Sequence, residues 1–569
     1  MKKITFGKPE AIVPSKFCKN FNYTETAVRY PVEMISFCET GDGCRMELPL
    51  AGDEEVYGFG LQLKGIRHKG RNLQLRVNAD PLSYTGDSHA PVPFFVTTKG
   101  YGIYIDTARY INVCCGYIKK KNRTQISQKN VMTSTEELYH KSNAGEPSVM
   151  TIDIPSAKGV DIYVFEGDTI TDIVSQYNML SGGGCRVPEW GLGVLYRCYA
   201  KYTGDEVVKT AKYFREKDIP CDIIGLEPGW QSDSYSCSYV WNKELYPNYK
   251  KTVQELLDMG FHINLWEHAF VCANSPIYSS LFEHSGNYEV WQGLVPDFAD
   301  EKAAAIFADY HRDTLVALGI DGFKLDECDG SDFTGDWSFP KCAEFPSGMD
   351  GEQYHSMFGV LYMQAIIKAL DKTPTLSEVR NAGALSASYP FVLYSDLYDH
   401  KDFIRGMCSA GFSGLLWTPE VRDAKSKIDF IRRLQSNVFS VQCVINAWYC
   451  EKMPWLAFDC EDEVQELLNV RERLVPMLKK SFEEYWKTGK PPVRALVSDY
   501  TADRETYLIE DEYIFCDTLI VAPMTAEEAT RKVYLPKGSW VDYWSREKVD
   551  AGWFEVETDN IPVYEKVEE

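Results

Sequence analysis

Disulfide and metal-ligand spacings are missing from this sequence. Its 569 residues include seventeen cysteines, an odd number with no CxxC pair, and only nine histidines. No zinc site or other metal site is therefore expected, and reduced thiols, as in a cytosolic protein, are the simplest reading. Long apolar runs are lacking as well. The opening "MKKITFGKPEAIVPSKF" begins with two lysines but has no core of signal-peptide length, and no stretch approaches a membrane span. A cytoplasmic location without a membrane partner is the expectation. Positive charge is in short supply: 60 Lys and Arg face 83 Asp and Glu, a net charge of −23. That argues against nucleic acid or an anionic membrane surface, both of which reward the opposite sign. No P-loop, no GxGxxG after a strand and no serine nucleophile elbow is present, so no cofactor is implied.

What remains is a globular composition. The chain is 64.9 kDa, 44% hydrophobic and 25% charged, beyond the size at which one core keeps growing, so two or three domains are expected. Aromatics reach 13%, which serves core packing or offers flat faces to sugar C–H surfaces. Residues 1–185 read as all-β. Segments such as "PVPFFVTT" and "YGIYIDTARYINV" are rich in β-branched and aromatic residues between Gly, Pro and Asp turns, which predicts a β-sandwich. From 186 to 484 helices alternate with short, nearly all-apolar strands: "DEVVKTAKYFREKDI" precedes "PCDIIGLEPGW", and "AAIFADYHRDTLVALG" precedes "IDGFKLDE". Six or more such units predict a parallel (β/α)8 barrel, an α/β fold. Residues 485–569 turn to β again and predict a small C-terminal β-domain.

In such a barrel, functional groups sit at the C-terminal ends of the strands. Here those ends carry Glu227, Trp266, Asp326, Arg380, Glu420 and Asn446. Glycoside hydrolysis needs two carboxyl groups, one as nucleophile or base and one as acid. In "FKLDE", Asp326 ends an apolar strand and Lys324, two residues earlier, points to the same side. An ammonium there is expected to keep the Asp326 carboxylate ionised. Trp266 and Trp417 are expected as pocket walls, His268 as a hydrogen-bonded support, and His89 as a surface-loop residue, with a reach into the pocket from the N-terminal domain as the alternative.

The sequence resembles glycoside hydrolase family 31 over nearly its whole length. "VYGFG", "PVPFFVTTKGYGIYID" and "VFEGDTITDIVSQYNMLSGGGCRVPEWGLG" resemble the family's β-sandwich and its approach to the barrel. "DGFKLDE" resembles the nucleophile motif, closest to the form of α-xylosidase-type members. "FCDTLIVAPM" and "KVYLPKGSWVDYW" resemble its proximal C-terminal β-domain. The resemblance implies a retaining α-glycosidase acting on a small carbohydrate, with Asp326 as nucleophile. Arg380 and Asp396 stand at the family spacing of sixteen positions, so Asp396 is implied as acid/base, with Asp399 and Asp402 as rivals and with a pKa raised by burial and by Asp326. Glu227, Trp266, Lys324, Arg380, Trp417, Glu420 and Asn446 are the implied substrate-binding set. At Glu227, Pro419–Glu420 and Asn446 the chain departs from the family pattern at positions that recognise sugar hydroxyls, which leaves the sugar open among α-glucoside, α-galactoside and α-xyloside. A transglycosylase with the same residues, and a sugar-binding protein on a degenerate scaffold, are the alternatives. A homo-oligomer is allowed.

Overall fold

The computed structural model describes residues 1–79, 81–120 and 147–567; residues 121–146 of the expected N-terminal domain lie outside the described residues. At its centre is a closed parallel barrel. Its strands are β1 (Val194–Arg197), β2 (Ile223–Leu226), β3 (His262–His268), β4 (Gly322–Asp326), β5 (Ser377–Val379), β6 (Phe391–Leu393), β7 (Glu420–Val421) and β8 (Cys443–Asn446). They pair in the order β6-β5-β4-β3-β2-β1-β8-β7, every pair parallel. The ring closes where Leu393 N–H donates to Leu416 O at 2.8 Å and Thr418 N–H to Leu393 O at 3.0 Å. Strands this short and apolar are buried on both faces, which is why they lack alternation.

Helices α1 (Gly204–Glu216), α2 (Tyr249–Asp258), α3 (Glu301–Thr314), α4 (Gly351–Leu370), α5 (His400–Ser409), α6 (Lys427–Val438) and α7 (Glu461–Thr488) cover the barrel. In α1 a capping box of Thr203 and Glu206 fixes the start, and Val207, Ala211 and Phe214 form the buried face. Helix α7 runs past 484, the expected end of the barrel, because its face of Leu474, Leu478, Phe482 and Tyr485 stays buried until Gly489 ends it in the left-handed region at φ 80.

Before the barrel, two five-stranded antiparallel sheets form a sandwich around Met46, Leu48, Phe95, Ile103, Ile152 and Val164. After it, a six-stranded sheet and a two-stranded ribbon enclose a smaller core around Ile514, Ile520 and Trp540. The sandwich is bound to the barrel by polar contacts as well as by apolar ones. Gly60 N–H donates to Ser413 Oγ at 2.9 Å and Gln62 N–H to Ser409 Oγ at 3.2 Å. Arg109 reaches Asp350 at the N-cap of α4 at 2.5 Å. No helix among the described residues is long and apolar enough to cross a membrane.

Candidate active site

The barrel interior is built upward from Arg197, the last residue of β1, whose side chain has no exposed surface. Its guanidinium donates to Glu227 Oε1 at 3.0 Å, to Asn264 Oδ1 at 2.9 Å and to Glu378. Lys324 lies above it, with Nζ 3.3 Å from each Glu227 oxygen and 4.9 Å from the ring centre of Tyr394. The ammonium therefore serves Glu227 and not, as expected, Asp326. The geometry explains this: alternation puts Lys324 and Asp326 on one side of β4, but two residues of strand rise carry the lysine about 7 Å deeper.

Asp326 is held from three sides. Trp266 Nε1–H donates to Oδ2 at 2.6 Å, the Glu327 N–H donates to Oδ1 at 2.9 Å, and Arg380 Nη1 lies 3.4 Å from Oδ1. Trp266 is thus a hydrogen-bond donor to the carboxylate. Arg380, just past β5, also donates from Nε to Asp329 Oδ2 at 3.0 Å, and its Nη1 pairs with Asp396. Asp396 lies beyond β6 with 52% of its side chain exposed. Burial would raise its pKa, but Arg380, Lys324 and Arg422 outweigh that and hold the carboxyl well below its ordinary range. The expected upward shift is thus reversed in the free site, because the cations around Asp396 are closer in effect than the Asp326 charge.

The acids following Asp326 behave differently. Burial, with the Asp326 charge second, pushes Glu327 up to about 9, and its backbone sits in the left-handed region at φ 55. Asp329 has no exposed surface, and burial pushes it up to about 7 against the pull of Arg380. Across the barrel, Glu420 Oε2 accepts from Asn446 Nδ2 at 2.9 Å, and Glu420 Oε1 lies 3.0 Å from Arg422 Nε. Asn446 Oδ1 is buried without a partner among the described residues.

Two further expectations are corrected. Trp417 is not a pocket wall: its indole N–H donates to Phe403 O at 3.2 Å and its ring lies against Phe403 and Gly406 of α5, in the strand–helix layer. It stands in a segment whose neighbours Leu416 and Thr418 pair with β6, and its side chain takes the outward side. His89 is no surface residue: it has no exposed area, and its Nε2 lies 3.6 Å from Asp329 Oδ2. His268 is buried beside Trp266, with Nδ1 accepting the Phe270 N–H at 3.2 Å; burial lowers its pKa to about 4. Tyr235, 55% exposed, and Trp291 form an aromatic lip over Trp266 and His268. Arg197, Arg422 and Tyr394 were missed, yet Arg197 ends a strand and Arg422 follows Glu420 by two. The strand-end rule reaches both. Among the described residues no group of three His, Cys, Asp or Glu could hold a metal ion.

The family model of the glycosyl hydrolases family 31 TIM-barrel domain matches residues 185–480. The chain belongs to glycoside hydrolase family 31. The family 31 C-terminal domain matches residues 489–568 and the N-terminal galactose mutarotase-like domain residues 23–113. Family 31 membership makes the chain a glycoside hydrolase of the α-glycosidase class, acting on O-glycosyl bonds. Alpha-glucosidase 2 of Bacillus thermoamyloliquefaciens is 25% identical over 94% of this chain and 69% of its own length. An alpha-xylosidase of Emericella nidulans is 20% identical over 91% of this chain and 66% of its own. Among solved structures, the family 31 dextranase of Flavobacterium johnsoniae complexed with glucose superposes with a TM-score of 0.79 at 22% identity, over 93% of this chain and 67% of that one. This likeness bears on the fold.

Proposed function

We propose that this family 31 chain is an exo-acting, retaining α-glycosidase of small glycosides or oligosaccharides, with Asp326 as nucleophile and Asp396 as acid/base. The observation that carries the reading is that one nitrogen, Arg380 Nη1, touches an oxygen of each carboxylate. That contact keeps the two facing oxygens within about 6 Å, which suits the roughly 5–5.5 Å carboxyl spacing of retaining pairs better than the roughly 6.5–9.5 Å of inverting ones. The closed floor of Arg197, Glu227 and Lys324 beneath Asp326 suits a terminal sugar.

In the first step Asp326 attacks the anomeric carbon as Asp396 gives its proton to the departing glycosidic oxygen. In the second, Asp396 takes a proton from water, which displaces the sugar from Asp326. Trp266 and the Glu327 N–H fix the attacking carboxylate. Asp396 starts as an ionised partner of Arg380, so its acid form requires that pairing to loosen as the sugar displaces water. The basic limb of kcat/KM, which reports the free enzyme, should then lie at lower pH than the limb of kcat, which reports the complex.

Substrate choice is assigned to Glu420 and Asn446, with Asn446 Oδ1 an open acceptor for a sugar hydroxyl. Similar proteins carry the names alpha-glucosidase, alpha-xylosidase and sulfoquinovosidase, which sets a panel of aryl α-glycosides, with α-galactosides added. NMR of the first-formed product on that panel tests the reading: the α-anomer supports it, and the β-anomer contradicts retention. An isomaltosyltransferase of Sporosarcina globispora is also similar; transfer would use the same residues and would show as longer products when sugar acceptors are added. A second assignment of the acid has its own observation, the raised pKa of Glu327. Its place directly after Asp326, with its N–H on that carboxylate, puts it on the nucleophile's side and favours Asp396.

A further inference from the structure

We propose that His89, contributed by the N-terminal sandwich, is a positioning residue for the acid/base, acting through the short segment that carries Asp396. This rests on the reading of Asp396 as acid/base. The segment lies between β6 and α5 and has no ladder of its own, so side chains must hold it. His89 Nε2 lies 3.0 Å from Ser395 Oγ, and that oxygen also accepts the Leu397 N–H at 3.0 Å. One hydroxyl thereby ties both neighbours of Asp396 to the imidazole. A second route runs through Asp329, 3.6 Å from Nε2, which receives Arg380 Nε at 3.0 Å; Arg380 in turn touches Asp326 and Asp396.

The location argues for function over packing. His89 has no exposed surface, and its Nδ1 has no partner among the described residues. Burying an unsatisfied ring nitrogen is costly, and an apolar side chain would fill the same space without that cost. Burial and the Arg380 charge keep the imidazole neutral, so it braces Ser395 by hydrogen bonding in either tautomer. The sandwich on this account completes the site that the barrel begins.

The test measures His89→Ala, His89→Gln, Ser395→Ala and Asp396→Ala on aryl α-glycosides of graded leaving-group basicity. His89→Ala should lose roughly ten- to hundredfold in kcat/KM on the most basic leaving groups, as for a catalytic group displaced by about 1 Å, and far less on the most activated ones. His89→Gln, whose amide nitrogen reaches nearly as far as Nε2, should recover most of the loss. The Ala double variant at 89 and 395 should lose no more than the worse single one, since both remove one bond. Equal losses across all leaving groups, or additive losses, would overturn the positioning role. If Asp396→Ala itself shows no leaving-group dependence, the acid assignment falls and the proposal with it. Should His89→Ala not fold, Ser395→Ala carries the same test, because it removes a single oxygen.

Discussion

Asp326, at the end of β4, and Asp396, in the segment after β6, are the proposed catalytic pair, and the protein holds them in opposite ways. Asp326 is 6% exposed, ends a strand paired on both sides, and is gripped by an indole and a backbone N–H. Asp396 is half exposed, lies outside any strand, and is held by cations: Arg380, the Arg422 side chain 4.0 Å from Oδ1, and Arg422 Nη2 donating to its backbone oxygen at 2.7 Å. As the proposed nucleophile, Asp326 must be fixed and ionised; its two short bonds come from neutral donors that need not move, and Arg380 Nη1 stands further off at 3.4 Å. As the proposed acid/base, Asp396 must change charge twice, which ion pairs that can loosen allow.

Breaking the fixed side should cost most. Asp326→Ala is expected to lower turnover by several orders of magnitude while leaving the thermal midpoint near the parent's, which kinetics and a melting curve would check. Next comes the ion-paired side. Asp396→Ala should lose roughly 100- to 10,000-fold on glycosides with basic leaving groups and much less on activated aryl ones, with the basic limb of the pH profile gone. Equal losses would move the acid role to Glu327, Asp399 or Asp402.

Smaller effects sharpen the contrast at the floor of the site. Asn446→His should reorder kcat/KM across the sugar panel, costing about 0.5–1.5 kcal/mol on the preferred sugar, as for one neutral hydrogen bond. Glu227→Asp should lower all sugars by a common factor, because both Glu227 oxygens are occupied by Lys324 and Arg197. The smallest effect on activity assays, and the most visible in stability, belongs to Asp329. Its pKa is raised to about 7 by burial, against about 3.9 unfolded. Folding is therefore unpenalised below about pH 4 and loses stability as pH rises to about 7, where the cost levels off. Asp329→Asn should be more stable than the parent at pH 8, by about 1–4 kcal/mol in unfolding free energy, with the gap closing toward pH 4. Its activity should fall, since Arg380 loses a partner.

The alternation of amphipathic helices with short apolar strands was enough to read the barrel, because parallel strands buried on two faces carry no other pattern. Strand ends likewise disclosed Asp326, Arg380, Glu420 and Asn446, since direction along a strand fixes which end faces the mouth. Depth was not legible: the sequence says that Lys324 and Asp326 share a side, but not which carboxylate the ammonium meets. Orientation failed at Trp417, where a single parallel bridge to Leu393 precedes β7 and the indole turns outward onto α5. The bond of His89 to Ser395 was not legible, because it spans 306 positions and two domains; the sequence offered a pocket position only as the weaker alternative to a surface loop. The sign of the Asp396 shift depended on three cations, two of which, Lys324 and Arg422, converge on it only in the folded barrel.

The most direct test is covalent trapping. Incubating the wild type with a series of fluorinated α-glycosides that slow breakdown of the intermediate, followed by peptide mass mapping, should place one sugar on Asp326. Labelling of Glu327 or Asp329 instead would contradict the account.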